Sequence, residues 1–178
     1  QYKRAFYPHY FSPEFRSFFN ISLCLYIDEK NHTFSNNNAF IQNDFETFEN
    51  KRLSGENDDY LCQIIRKDSL KDFISYANQK NLSFSTKIEP SIFETNSFLI
   101  NKIPSLIEYS AFFGSIQIFE YLLSNKVELS PSIWEFAIHG QNREIIRMIE
   151  KNKILPEDPS YKCCLIESIK CRYFEMTE

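Results

Sequence analysis

Ser105 to Val127 reads SLIEYSAFFGSIQIFEYLLSNKV, and Ser132 to Ile154 reads SIWEFAIHGQNREIIRMIEKNKI. Laid over one another at an offset of 27 residues, the two agree in kind at nearly every buried-type position. Leu106 meets Ile133, Ile107 meets Trp134, Glu108 meets Glu135 and Tyr109 meets Phe136. Ile118-Phe119 meet Ile145-Ile146, Leu122 meets Ile149, and Asn125-Lys126 meet Asn152-Lys153. Self-similarity at a fixed period is the mark of a repeat architecture.

Each stretch reads as two short helices. Pro104 and Pro131 stand just ahead of the first, where a fixed φ and a missing N–H do no harm. Small residues follow at Ser110-Ala111 and at Ala137, which lets a neighbouring layer approach. Gly114 suits a left-handed helix end. The second helix carries Ile118, Phe119, Leu122 and Leu123, and its counterpart Ile145, Ile146 and Ile149, in the rhythm of one buried face. A pair this short cannot close a core alone, so it must stack on its neighbours.

A related unit lies upstream in Asp59 to Asn81, DYLCQIIRKDSLKDFISYANQKN, where Asp68 falls at the position of Gly114 and Phe73 at that of Phe119. Another begins after Pro159, with Leu165, Ser168 and Ile169 in a first helix and Phe174-Glu175-Met176 opening a second. The repeat units are therefore 59–81, 104–127, 131–154 and a truncated one from 159, all within 58–178. Leu82 to Ile103 is a longer connection. Residues 1–57 do not match the repeat and read as a non-repeat helical region, with helices over Phe15–Ile27 and Asn43–Leu53. The initial Gln and the pattern broken off at Glu178 suggest fragment boundaries at both ends.

The chain has 178 residues, 43% of them hydrophobic and 25% charged, ordinary globular proportions that exclude disorder. Only 3 are glycine, where average usage would place about twelve. That argues against glycine-rich phosphate loops and a nucleotide-binding α/β domain. The formal net charge of -4 comes with basic residues scattered singly or in pairs, without the clustered footprint that nucleic-acid binding needs. The apolar run Phe18–Ile27 is too short for a membrane span. Five cysteines lack any C-x-x-C spacing, and His9, His32 and His139 are far apart, so no metal site is indicated. Reduced thiols in an intracellular, cytoplasmic protein are the expectation.

The two clear units resemble ankyrin repeats. Ile107 and Trp134 stand at that family's leucine, and Ser110-Ala111 and Ala137-Ile138 at its alanine pair. Gly114 stands at its glycine, Ile118-Phe119 and Ile145-Ile146 at its I-V, and Leu122-Leu123 at its L-L. The repeat departs in its shorter period, in Glu108 and Glu135 at the histidine of T-P-L-H, and in Gln141 at the second glycine, so the projecting hairpin is expected to be shortened or absent. More narrowly, GENDDYLCQIIRKDSLKDFI (55–74), KIPSLIEYSAFFGSIQIF (102–119) and CLIESIKC (164–171) are similar to a divergent ankyrin-type domain family of unknown function, known chiefly from flagellated parasitic protists. The fold expectation is all-α, an ankyrin-like solenoid of stacked helix pairs preceded by a non-repeat helical region.

What the resemblance implies is a non-catalytic protein–protein interaction module, recognising an unidentified protein partner through the concave face. It implies no cofactor, no metal and no small-molecule substrate. Phe112 and Phe113, just before the glycine, with His139 matching Phe112, are the candidate partner contacts. Asn101, Lys102 and Glu128, on the turns between units, are further ones. Exposed aromatics would serve as anchors, but the two phenylalanines could equally pack against a neighbouring layer. A structural spacer within a longer protein is the alternative. An enzyme pairing His139 with Cys164 or Cys171 lacks a recognisable third orienting group. Trp134 falls on the buried stripe and is expected in the core, and Asp58-Asp59 as caps at a helix start.

Overall fold

The computed structural model describes residues 47–100 and 102–173. These fall into two units, one of residues 47–58 with 90–100, the other of residues 59–89 with 102–173. The helix expected over Phe15–Ile27, Asn101 and the segment Phe174–Met176 lie outside the described residues.

In the first unit, helix α1 (residues 47–54) ends at Gly55, whose φ of +65° is easy only for glycine. Gly55 accepts two hydrogen bonds from Thr95, one from its amide and one from its hydroxyl, both at 2.9 Å. Asp58 holds Lys51 at 2.9 Å and the Ser91 hydroxyl at 2.8 Å. The rings of Phe48 and Phe93 meet edge-on at 5.3 Å. Part of the connection read as one piece, 90–100, thus belongs with residues 47–58.

The second unit contains helices α2 (Tyr60–Arg66), α3 (Leu70–Lys80), α4 (Leu106–Phe112), α5 (Ile116–Ser124), α6 (Ile133–Gly140), α7 (Arg143–Lys151) and α8 (Lys162–Lys170). No strand occurs among the described residues. A lone bridge joins Lys87 and Ser105, and Ile88 donates its amide to Pro104 at 2.7 Å. The described chain is all-α.

Local chemistry starts these helices. Asp59 caps α2 by accepting the amide of Leu61 at 2.7 Å. Asp58, by contrast, is spent on Lys51 and Ser91. Ser105 and Glu108 form a capping box at α4, and Asn142 accepts from Glu144 and Ile145 at α7. Left-handed residues stop them. Asp68 (φ 48°), Gly114 (67°), Gln141 (51°) and Arg172 (56°) follow the first helix of each pair; Asn81 (48°), Lys126 (61°) and Lys153 (57°) follow the second. After each second helix the next amide reaches back five residues: Leu82 to Ala77, Val127 to Leu122 and Ile154 to Ile149. One backbone device is therefore used at matching points of successive pairs.

The packing follows the same order. Each first helix packs on its own second helix where both are described, and α4 lies between α2 and α6, with α8 on α6. Among the second helices, α5 touches both α3 and α7. Phe73, Leu106, Ile107, Ile118, Phe119, Leu122, Ile133, Ile138, Ile145 and Ile149 are fully buried, each contributing about 1.5–3 kcal/mol through removal from water. Trp134 is buried too, as its place in the stripe requires, and donates its indole N–H to the Ile154 carbonyl at 2.9 Å. Polar ties recur between pairs. The Ser115 hydroxyl donates to Ile65 O at 2.6 Å, and Asn142 Nδ2 to Gly114 O at 3.0 Å.

Candidate functional site

The last turn of α4 carries Tyr109, Phe112 and the C-cap Phe113. Helical spacing puts Tyr109 and Phe113 on one face, and their rings lie 4.8 Å apart. Arg66, at the end of α2, donates to the Tyr109 hydroxyl at 3.0 Å and sits over the Phe113 ring at 5.8 Å. Phe113 meets Phe112 edge-on at 4.9 Å, and Phe112 stacks on His139 of α6 at 5.1 Å. His139 then reaches α8: Nε2 lies 3.2 Å from Glu167 Oε2, and Nδ1 lies 3.3 Å from Cys171 Sγ. Glu167 also holds Lys170 at 2.6 Å. The ends of α2, α4, α6 and α8 are thereby joined side chain to side chain in a continuous strip.

Phe112, Phe113 and His139 of the expected partner contacts come together here. Their exposure differs from that of an open aromatic pair. Phe112 is 8% exposed, and Phe113 and His139 are half-buried. Phe112 thus takes the packing alternative and is no exposed anchor, because the His139 ring covers one of its faces. Lys102 pairs with Glu135 at 2.7 Å and lies over the Phe136 ring at 5.3 Å. Glu128 is exposed on the loop after α5 and joins none of these contacts.

Burial pulls the His139 pKa below its ordinary value, although the Glu167 carboxylate works the other way. A neutral ring satisfies both partners, with Nε2–H donating to Glu167 and Nδ1 accepting the Cys171 thiol proton. Burial, with Glu167 adding to it, raises the Cys171 thiol. Cys171 is also the C-cap of α8, where the helix dipole disfavours negative charge. Sulfur, imidazole and carboxylate stand in line, yet the electrostatics hold the sulfur as a hydrogen-bond donor. Cys164 is buried and pushed up to about 11, chiefly by burial.

Sequence reasoning did not single out Glu167 or Arg66. Glu167 and Cys171 are four residues apart, which places them on one helix face, but nothing local ties that face to His139. Among the described residues no cluster could hold a metal ion, and no helix is long and apolar enough to cross a membrane. No protein-family model, curated protein or solved structure matches the chain.

Proposed function

We propose that the helix pairs form an ankyrin-type repeat stack serving as a non-catalytic protein-recognition module, with the strip along the first-helix ends as its binding face. The supporting observation is the unbroken run Arg66–Phe113–Phe112–His139–Glu167, which lines up side chains from four successive first helices. The left-handed breaks at Gly114 and Gln141, one repeat apart, support the ankyrin-type reading.

The mechanism is display. Packed helices hold the strip rigid, so a partner binds it at little ordering cost. Arginine and aromatic side chains, the types that dominate interface energetics, make up its centre. Buried Phe112 supports Phe113 from behind, and Phe113 makes the contact.

The test is quantitative affinity capture on immobilised chain. Wild type and the variant Glu120→Ala, altered at an exposed position of α5, should retain the same proteins. Phe113→Ala and Phe113→Asp should lose at least one of them while keeping their helicity. Retention that ignores Phe113 would refute the assignment of the face.

A further inference from the structure

Glu108 gathers three serine hydroxyls on one carboxylate. Ser105 donates to Oε2 at 2.8 Å, while Ser130 and Ser132 both donate to Oε1, at 2.9 and 2.5 Å. These bonds clasp the loop before α6 to the start of α4. Ser105 and Ser132 are half-buried, whereas Ser130 is exposed. The donors keep Glu108 below the usual carboxylate value, so it is ionised at neutral pH.

The backbone around Ser130 is open. Val127 to Ser130 form neither helix nor turn. Among the described residues, the amides of Glu128, Leu129 and Ser130 bond to no protein group. Pro131 follows, and a proline keeps the residue before it out of the helical region. An exposed serine on unpaired backbone, with proline next, suits an enzyme groove that takes its substrate as extended chain.

We propose that Ser130 is a phosphorylation site for a proline-directed protein kinase, and that the phosphate opens the clasp Glu108 makes between α4 and the loop before α6. The γ-phosphoryl group of ATP passes to Ser130 Oγ, ADP leaves, and the hydroxyl proton goes to solvent. Ser130 thereby loses the proton it gave to Glu108. It gains a group of about two negative charges beside an ionised carboxylate, a pairing that disrupts. Lys102, three residues before Ser105, is held by Glu135 at 2.7 Å. Lys87, bridged to Ser105 through its backbone, is exposed, where a charge pair contributes little. The loop is driven off Glu108, and the start of α6 goes with it. The capping box of Ser105 and Glu108 stays with α4. This site lies at helix starts, apart from the strip at the first-helix ends.

The test uses the full chain carrying Ser12→Ala, because Ser12-Pro13 is the other serine–proline pair in the sequence. Incubated with a proline-directed kinase and magnesium ATP, it should take up phosphate on Ser130, located by peptide mass analysis. A synthetic peptide of residues 124–136 should be phosphorylated alongside. Hydrogen exchange in α6 should then quicken about tenfold, with α3 unchanged. Glu108→Gln keeps an acceptor and removes the charge, so phosphorylation should quicken α6 far less in that variant.

Absence of phosphate at Ser130, on the folded chain or on the peptide, would overturn the proposal. So would a phosphorylated chain whose α6 exchanges no faster than before. An equal response in Glu108→Gln would overturn it as well, since the clasp would then play no part.

Discussion

Asp68 caps a helix that starts almost fifty residues downstream: its carboxylate accepts the backbone amide of Ile118 at 3.1 Å, and that of Gln117 at the same distance. Ser115, the residue in position to cap α5, makes no such bond, and its hydroxyl donates to Ile65 O instead. The left-handed turn after α2 thus supplies the next pair with its helix cap.

Replacing Asp68 should therefore act on two pairs at once. Asp68→Ala removes the cap and strains a φ of 48°, for a loss of about 2 kcal/mol in urea unfolding. Asp68→Asn keeps an acceptor and tolerates the backbone, so it should cost under about 0.5 kcal/mol. Equal losses from the two variants would contradict the capping role.

Gly140 tolerates no side chain. A Cβ there would lie 2.0 Å from the Ala111 carbonyl oxygen and 3.0 Å from the Gly114 nitrogen, both backbone atoms. Gly140→Ala must push α6 away from α4, with an expected cost of about 3 kcal/mol. Ala111→Phe, at a fully buried position on the facing helix, should destabilise in the same way. Thermal melts of both variants check this, and unchanged midpoints would count against such close approach.

Glu108 joins α4 to the loop before α6. Its carboxylate takes the Ser105 amide and hydroxyl, both at 2.8 Å, and the hydroxyls of Ser130 and Ser132. Burial alone would raise its pKa, but these donors outweigh burial and hold it below the usual carboxylate value. Glu108→Ala should cost about 2 kcal/mol through lost charge-assisted bonds. Lys102→Ala, which breaks a partly exposed pair with Glu135, should cost under about 1 kcal/mol.

Acid should weaken the contact between α6 and α8 through His139. Its folded pKa lies below the unfolded value of 6.5. As pH falls through 6.5, the unfolded chain takes up a proton that the folded ring resists, so stability drops and levels off once the folded ring protonates. Glu167, Cys171, Lys102 and Lys170 face or influence this ring. Denaturant midpoints should fall between pH 7 and 5.5 in wild type, and less in His139→Gln. Parallel losses would remove His139 from the account. The depressed carboxylates Glu108 and Glu167 act in a lower window, their stabilisation being lost as pH falls through their folded values.

Thiol labelling reads the electrostatics of the strip directly. Cys163 is exposed, whereas Cys171 is half-buried with a raised pKa, and Cys164 is buried. Iodoacetamide under native conditions should modify Cys163 first, Cys171 more slowly and Cys164 last, by peptide mass analysis. Preferential modification of Cys171 near neutral pH would mark it as a nucleophile and revive an enzymatic reading.

Much of the helical order is legible in the residues alone. Aligning Asp68 with Gly114 identifies two points where the backbone turns left-handed. The stripes Ile118-Phe119-Leu122 and Ile145-Ile146-Ile149, with Trp134, lie buried as their spacing requires. These features depend on φ, on helical period and on neighbours a few residues away, all of which sequence states directly. The carboxylate of Asp68 on α5, the burial of Phe112 behind His139, and the line from Cys171 through His139 to Glu167 arise otherwise. Each needs two helices, separated by roughly thirty to fifty residues, to meet at one register. Only the packing of large side chains between whole helices sets that register, so the tertiary structure alone decided which polar groups came within bonding distance.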